Sequence, residues 1–139
     1  MNINENVKSA FQLKSIYLRE STFKILEPNK KLENINFGIG IEANKFQDGE
    51  TEKLENALTI ILSIEERESF LLSVTMVGIF EIIKEIPFDK DEFLNINAPT
   101  IIYPYIRQHV RTLSLEAGIS PILLPVINFV ALAKENYSE

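Results

Sequence analysis

Apolar residues recur at every second position along the first part of the chain and at helical spacing along the last part. Strands first and helices last argue for an α+β domain rather than alternating βαβ units. The first candidate strand spans about residues 10–23, with Phe11, Leu13 and Tyr17 on one face and Ile16 and Leu18 on the other beside Gln12 and Lys14. Glu27-Pro28-Asn29-Lys30-Lys31 then reads as a loop. In residues 36–42, Phe37, Ile39 and Ile41 alternate with Gly38, Gly40 and Glu42. Two glycines on one face leave the backbone bare, which fits close approach by another segment, a bend, or ordinary sheet curvature. Phe46 to Thr51 carries a turn signal. The third candidate, about residues 57–64, sets Leu58, Ile60, Leu62 and Ile64 against Thr59, Ile61 and Ser63, with Glu65-Glu66-Arg67-Glu68 as its hairpin loop.

The fourth candidate, residues 69–82, places Phe70, Leu72, Val74, Met76, Gly78 and Phe80 on one face and Leu71, Ser73, Thr75, Val77 and Ile79 on the other. The second set is also largely apolar, and such a sheet is expected to be covered on both sides. A polar connection with a helical turn near Asp89 to Leu94 comes next. Asn97 is the expected N-cap of a long helix, with Pro99 in its first turn. Ile101, Ile102, Tyr105, Ile106, Val110 and Leu113 form its apolar stripe, and Gly118 ends it. Pro104 falls inside this stretch and is expected within the first turns or at a kink. Pro121 and Pro125 make Ile119 to Phe129 an extended apolar loop, and a second helix from about Phe129 to Tyr137 closes the chain.

Length changes little in this picture, since 139 residues suit one domain, 1–139. Charge excludes more. A net charge of −6 with mixed or acidic clusters argues against nucleic acid and anionic membranes as direct partners. Residues 1–9 are polar and resemble no secretory signal, and no apolar run reaches the ~18 residues of a membrane span. The expectation is a soluble cytoplasmic protein without membrane insertion. The absence of cysteine removes disulfides, thiolate metal sites and thiol catalysis, and a single histidine removes multi-histidine metal sites. That histidine, His109, lies on the long helix between Arg107 and Arg111, with no serine in a nucleophile-elbow context. Gly38-Ile39-Gly40 lacks the third glycine and following helix of a phosphate loop. No catalytic residue, metal or cofactor is expected. What the chain has in surplus is apolar surface, which calls for oligomerisation, a client groove, or both.

Ile101-Ile-Tyr-Pro-Tyr-Ile-Arg107 resembles the Leu-Phe-Pro-Tyr-Ala-Arg signature of the SecB protein-export chaperone family, through Tyr103, Pro104, Tyr105 and Arg107. Phe11-Gln-Leu-Lys-Ser-Ile-Tyr17 is similar to that family's first strand, and Val77-Gly-Ile-Phe-Glu-Ile82 to its Gly-Gly-Ile-Phe strand, with Val77 where the first glycine usually stands. Asn97-Ala-Pro99 resembles the start of its long helix, and Leu124-Pro-Val-Ile-Asn-Phe129 its Leu-Ala-Pro-Val-Asn-Phe segment. The matches keep their order over about residues 10–137.

The resemblance implies a four-stranded antiparallel sheet followed by a long helix and a C-terminal helix, assembled as a homotetramer, a dimer of dimers. It implies an ATP-independent holdase that keeps unfolded polypeptide clients non-native in apolar grooves, as for protein export. Ile39, Ile41, Phe70, Leu72, Val74 and Met76 become client-groove candidates, with core packing as the rival role. The family presents an acidic sheet face to the motor SecA. Glu20 and Leu71 fit that face, but Lys24 and Ser73 stand where acidic residues are usual, which puts SecA binding in doubt. The alternative is a SecB-like chaperone dedicated to one client, such as an antitoxin of a toxin–antitoxin system.

Overall fold

The computed structural model describes residues 10–27, 32–64, 68–83 and 89–137. The loops expected at Pro28 to Lys31 and Glu65 to Arg67 lie outside these residues. Four strands, β1 (Phe11–Ile25), β2 (Asn36–Asp48), β3 (Thr51–Ile64) and β4 (Phe70–Ile82), form one antiparallel sheet in the order β1-β4-β3-β2. β2 and β3 run longer than their apolar alternation suggested. Their polar ends pair as regularly as their centres and close on a two-residue turn at Gly49, φ 67°, and Glu50.

The faces of β2, β3 and β4 are those expected from alternation. β1 differs. Its pairing with β4 shifts between Leu13 and Ser15 and again between Leu18 and Glu20. Each extra residue reverses the facing of the rest of the strand. Phe11, Leu13 and Ile16 therefore pack against the same core, while Tyr17, paired with Val77, turns to the opposite face. A strict period of two misassigns Tyr17 and Ile16 for this reason.

The helical turn expected near Asp89 to Leu94 is present and runs on into the long helix, which therefore begins earlier than expected. Asp89, not Asn97, is the N-cap: its Oδ1 accepts from the amides of Asp91 at 2.9 Å and Glu92 at 3.3 Å. A short turn α1 (Lys90–Glu92) runs into a wide π turn (Phe93–Asn97) and then α2 (Ala98–Glu116) without a break. Asn97 is itself helical and makes no capping bond. The wide turn has a cause in the sequence. Pro99 has no amide, and its ring crowds the carbonyl that a regular helix would aim at it. The Ala98 amide reaches back to the Phe93 carbonyl, so the Leu94 carbonyl receives neither Ala98 nor an amide from Pro99. The buried Asn56 of β3 supplies the donor instead, through Nδ2.

α2 lies across the sheet through Ile102, Ile106 and Val110, all fully buried, against Leu58, Ile60, Leu72, Val74 and Phe80. It comes close to the strand backbone at Gly78, where a Cβ would stand 3.0 Å from Ile102 Cδ1. Phe11 stacks on Phe93 with centroids 3.5 Å apart. Gly118, φ 75°, ends α2 in a Schellman motif, with the Ile119 amide on the Ser114 carbonyl and the Gly118 amide on that of Leu115. α3 (Phe129–Tyr137) comes last, its first turn capped by Asn128 Oδ1 on the Ala131 amide.

Candidate client-binding surface

The extended segment between α2 and α3 is held to α2 at two points. Ser114 Oγ, fully buried, donates to the Val110 carbonyl and accepts from the Ile122 amide at 3.1 Å. Tyr103, 5% exposed, donates its hydroxyl to the Pro125 carbonyl and meets the Phe129 ring edge-on at 5.8 Å. Leu124 and Phe129 turn inward, while Leu123 and Val126 project into solvent, 73% and 87% exposed. Prolines at 121 and 125 leave the segment fewer amides to satisfy and keep it extended. The result is a stiff apolar arm fastened to a rigid helix.

Burial raises the ionisation of Tyr103 above the ordinary tyrosine value, opposed by the Arg107 charge. The Arg107 guanidinium lies 5.9 Å from the centre of the Tyr103 ring. Pro104, Arg107, Arg111 and Leu123 border a hollow of about 220 Å³ between α2 and the arm. A larger hollow of about 500 Å³ opens between α1, the π turn and α3, with an acidic rim of Asp89, Asp91 and Glu92 and apolar walls from Ile96, Val130 and Ala133.

The signature residues thus separate into different tasks. Tyr103 anchors the arm, Pro104 and Arg107 border the small hollow, and Tyr105, 45% exposed, stands on the outer side of α2 with Ile101. The apolar stripe expected along this helix is corrected accordingly: Ile102 packs on the sheet, but Ile101 and Tyr105 do not.

The six groove candidates all lie on the sheet face that carries α2. Rows cross the sheet from Leu18 through Met76 and Leu58 to Ile41, and from Val74 through Ile60 to Ile39. Phe70, Leu72 and Val74 are at most 1% exposed, because α2 covers the central strands, so in this conformation they have no surface for a client. Ile39, Ile41 and Met76 remain partly open.

On the opposite face, Glu20, Leu71, Lys24 and Ser73 come together on β1 and β4, with Lys24 paired to Leu71, Thr22 to Ser73 and Glu20 to Thr75. The same face carries Arg19, 3.3 Å from Glu55. Val77 is buried there among its neighbours.

His109 Nε2 lies 2.8 Å from Ser21 Oγ. This is a strand-to-helix contact that the sequence did not suggest. No carboxylate orients the ring among the described residues, so the pair lacks the third member of a nucleophilic relay. Among the described residues no group of three or more histidine, aspartate or glutamate side chains could hold a metal, and no helix is long and apolar enough to cross a membrane.

The residues missed from sequence are Ser114, Leu123 and Val126. Ser114 gave no signal, since a serine within a helix ordinarily bonds back to its own helix or faces solvent. Leu123 and Val126 flank Leu124 and Pro125, and an irregular segment carries no periodicity by which inward and outward positions can be told apart.

A family model described as preprotein translocase subunit SecB matches residues 4–139. The protein-export protein SecB of Chromobacterium violaceum is 30% identical, over 95% of this chain and 91% of its own. That of Paraburkholderia phymatum is 27% identical, over 98% of this chain and 90% of its own. Among solved structures, the fold is similar to the Mycobacterium tuberculosis Rv1957 SecB-like chaperone in complex with a ChAD peptide from the Rv1956 HigA1 antitoxin. That match has a TM-score of 0.65 at 15% identity, over 85% of this chain and 91% of that one.

Proposed function

The chain belongs to the SecB family, and from that premise we propose that it is an ATP-independent holdase that keeps polypeptides non-native for protein export. The observation that carries the physical reading is the arm: Leu123 and Val126 are held out in solvent by a segment fastened at Tyr103 and Ser114. Fully covering a leucine or valine side chain contributes about 1.5–3 kcal/mol. Such contacts are individually weak, but several on one tethered chain multiply in effect. Clients are then selected by exposing apolar side chains while unfolded, not by a sequence code.

The client surface in this reading comprises Leu123 and Val126 of the arm with Ile39, Ile41 and Met76 of the sheet. Phe70, Leu72 and Val74 support it from below. The protein works in the cytoplasm as a homotetramer, in which the exposed Ile101, Tyr105 and Leu115 stripe of α2 would be covered. It takes no cofactor and performs no catalysis.

The test is light scattering of an unrelated protein diluted from denaturant, without nucleotide. Excess chaperone should suppress aggregation, and Leu123→Ser with Val126→Ser should lose much of that effect. No suppression at excess would overturn the holdase reading.

A second reading keeps the fold and narrows the task to one client, such as an antitoxin. Two observations favour it: the structural likeness to a SecB-like chaperone solved with an antitoxin peptide, and Lys24 and Ser73 on the open sheet face, where a SecA-binding surface would carry acids. SecA contact through Glu20 and Leu71 is weak in this reading.

A further inference from the structure

The charges of α2 are not matched as most of those on the sheet are. Lys14, Arg19, Lys45 and Lys53 of the sheet and Lys90 of α1 each hold a carboxylate. α2 carries Arg107 and Arg111 and no acid before Glu116, in a chain of net charge −6. Among the described residues neither arginine has a hydrogen bond or an ion pair, and the Arg107 guanidinium rests over the Tyr103 ring. Their spacing sets them one turn apart on one face of the helix. Like charges so placed repel and weaken a helix, and an anion held by both removes that repulsion.

This face of α2 borders the hollow of about 220 Å³ beneath the arm. Gln108 lines it beside the two arginines, and Ile122 and Leu123 form an apolar wall over the buried Leu124. Among the described residues no acid lines it. His109 takes no part, since its Nε2 is turned to Ser21 of β1 at 2.8 Å. The wall is held in place, because the Ile122 amide bonds to Ser114 Oγ at 3.1 Å and the Pro125 carbonyl accepts from Tyr103. Positive charge on the helix and apolar surface on the arm are therefore kept at a set separation before any ligand arrives.

A guanidinium presents a planar fork of donors matched to an oxyanion, and a glutamine amide adds two more. The hollow is smaller than the roughly 300–1,000 Å³ of a site for drug-sized ligands, so its occupant is small. A bare inorganic anion would leave the wall unused. We propose that this hollow binds a carboxylate carried on a short apolar body, the carboxylate on Arg107 and Arg111 and the carbon chain against Ile122 and Leu123. A free short-chain acid and the last residue of a polypeptide both present this chemistry. The inference is independent of the holdase reading, because suppression of aggregation plays no part in its test.

The test titrates the whole protein with hexanoate at low salt and follows the methyl resonances of Ile122 and Leu123 and the guanidinium resonances of Arg107 and Arg111. Hexanoate should shift both sets. Hexanamide, which lacks the charge, and acetate, which lacks the carbon chain, should each bind at least about tenfold more weakly. Arg111→Gln should weaken hexanoate at least about tenfold, and Arg111→Lys, which keeps the charge but not the fork, should fall between it and the parent. N-acetyl-leucine separates the two sources: if it binds more tightly than hexanoate the ligand is a chain end, and if more weakly it is a free acid. Hexanamide or acetate binding as well as hexanoate, inorganic phosphate binding as tightly, or no shift at about 10 mM hexanoate would overturn the proposal. Arg111→Gln changing the native mass while leaving hexanoate affinity unaltered would assign the arginines to a contact between copies and overturn it as well.

Discussion

Replacing Asn56 by alanine should destabilise the protein through a helix that Asn56 does not belong to. The Leu94 carbonyl lies in the core, Leu94 being 1% exposed, and takes its hydrogen bond from Asn56 Nδ2 because Pro99 cannot donate. Stranding a buried carbonyl costs about 1–3 kcal/mol. Part of that is offset, since Asn56 Oδ1 is itself buried without a partner and leaves with the side chain. A net loss of about 1–2 kcal/mol is expected, which at a urea slope near 2 kcal/mol/M lowers the midpoint by about 0.5–1 M. The measurement is equilibrium urea unfolding by circular dichroism at one fixed protein concentration, because assembly would make the midpoint concentration-dependent. The decisive comparison is a double-mutant cycle with Pro99→Ala. That change returns an amide at the position from which a π-type bond reaches Leu94, so Asn56→Ala should cost about 1 kcal/mol less in its presence. A loss below about 0.5 kcal/mol in the parent, or the same loss in both backgrounds, would refute Pro99 as the cause of the π turn.

Tyr103→Phe should lower stability by about 1–2 kcal/mol and speed amide exchange along the arm, because the Pro125 carbonyl loses its donor. Stability of the parent should also fall as pH rises from the unfolded tyrosine value, 10.0, towards the raised folded one, since only the unfolded state releases that proton in this window; the Phe variant should lose this dependence. Gly78→Ala drives a methyl against Ile102 and Phe80 and should cost about 1–3 kcal/mol, with Ile102→Val recovering part of the loss in thermal melts. Lys24→Glu with Ser73→Glu should tighten binding to SecA by about tenfold in a titration at low salt, whereas tight binding by the unaltered protein would remove the argument from these two positions.

The four strands and most of their faces were legible because one rule, alternation, is enforced wherever a sheet buries one side. Where β2, β3 and β4 pair without slips, the apolar set at Leu58, Ile60 and Leu62 and at Phe70, Leu72 and Val74 reads directly as core. β1 breaks the rule at two bulges, and nothing in Lys14-Ser15 or Arg19-Glu20 marks a bulge in a single sequence. The helix start was legible in principle. Asp89 followed three residues later by Glu92 is the pattern of a capping residue with an acid at N3, but Asn97 followed by Pro99 offered a competing start nearer to the apolar stripe. That second signal has a physical origin too. Pro99 does perturb the helix there, and the chain answers with a wider turn and a borrowed donor from β3 instead of a terminus.

The candidate site was legible only where it is regular. Ile39, Ile41 and Met76 were reachable by period, yet the same period selected Phe70, Leu72 and Val74, because alternation tells which face a residue occupies and not whether a helix covers it. α2 crosses β3 and β4 and leaves β2 at the margin, so exposure is decided by the placement of one helix, a non-local fact. The arm shows the converse. Its projecting side chains, Leu123 and Val126, depend on two anchors drawn from α2, Tyr103 and Ser114, twenty-two and eight residues from their partners in sequence. A family signature can point to Tyr103, since it travels with Pro104 and Arg107, but no pattern distinguishes Ser114 from any other helical serine. The proposed client surface is therefore set by where α2 lies and by what it grips. A substitution on the buried side of α2 should alter client binding more than its distance from Leu123 and Val126 suggests.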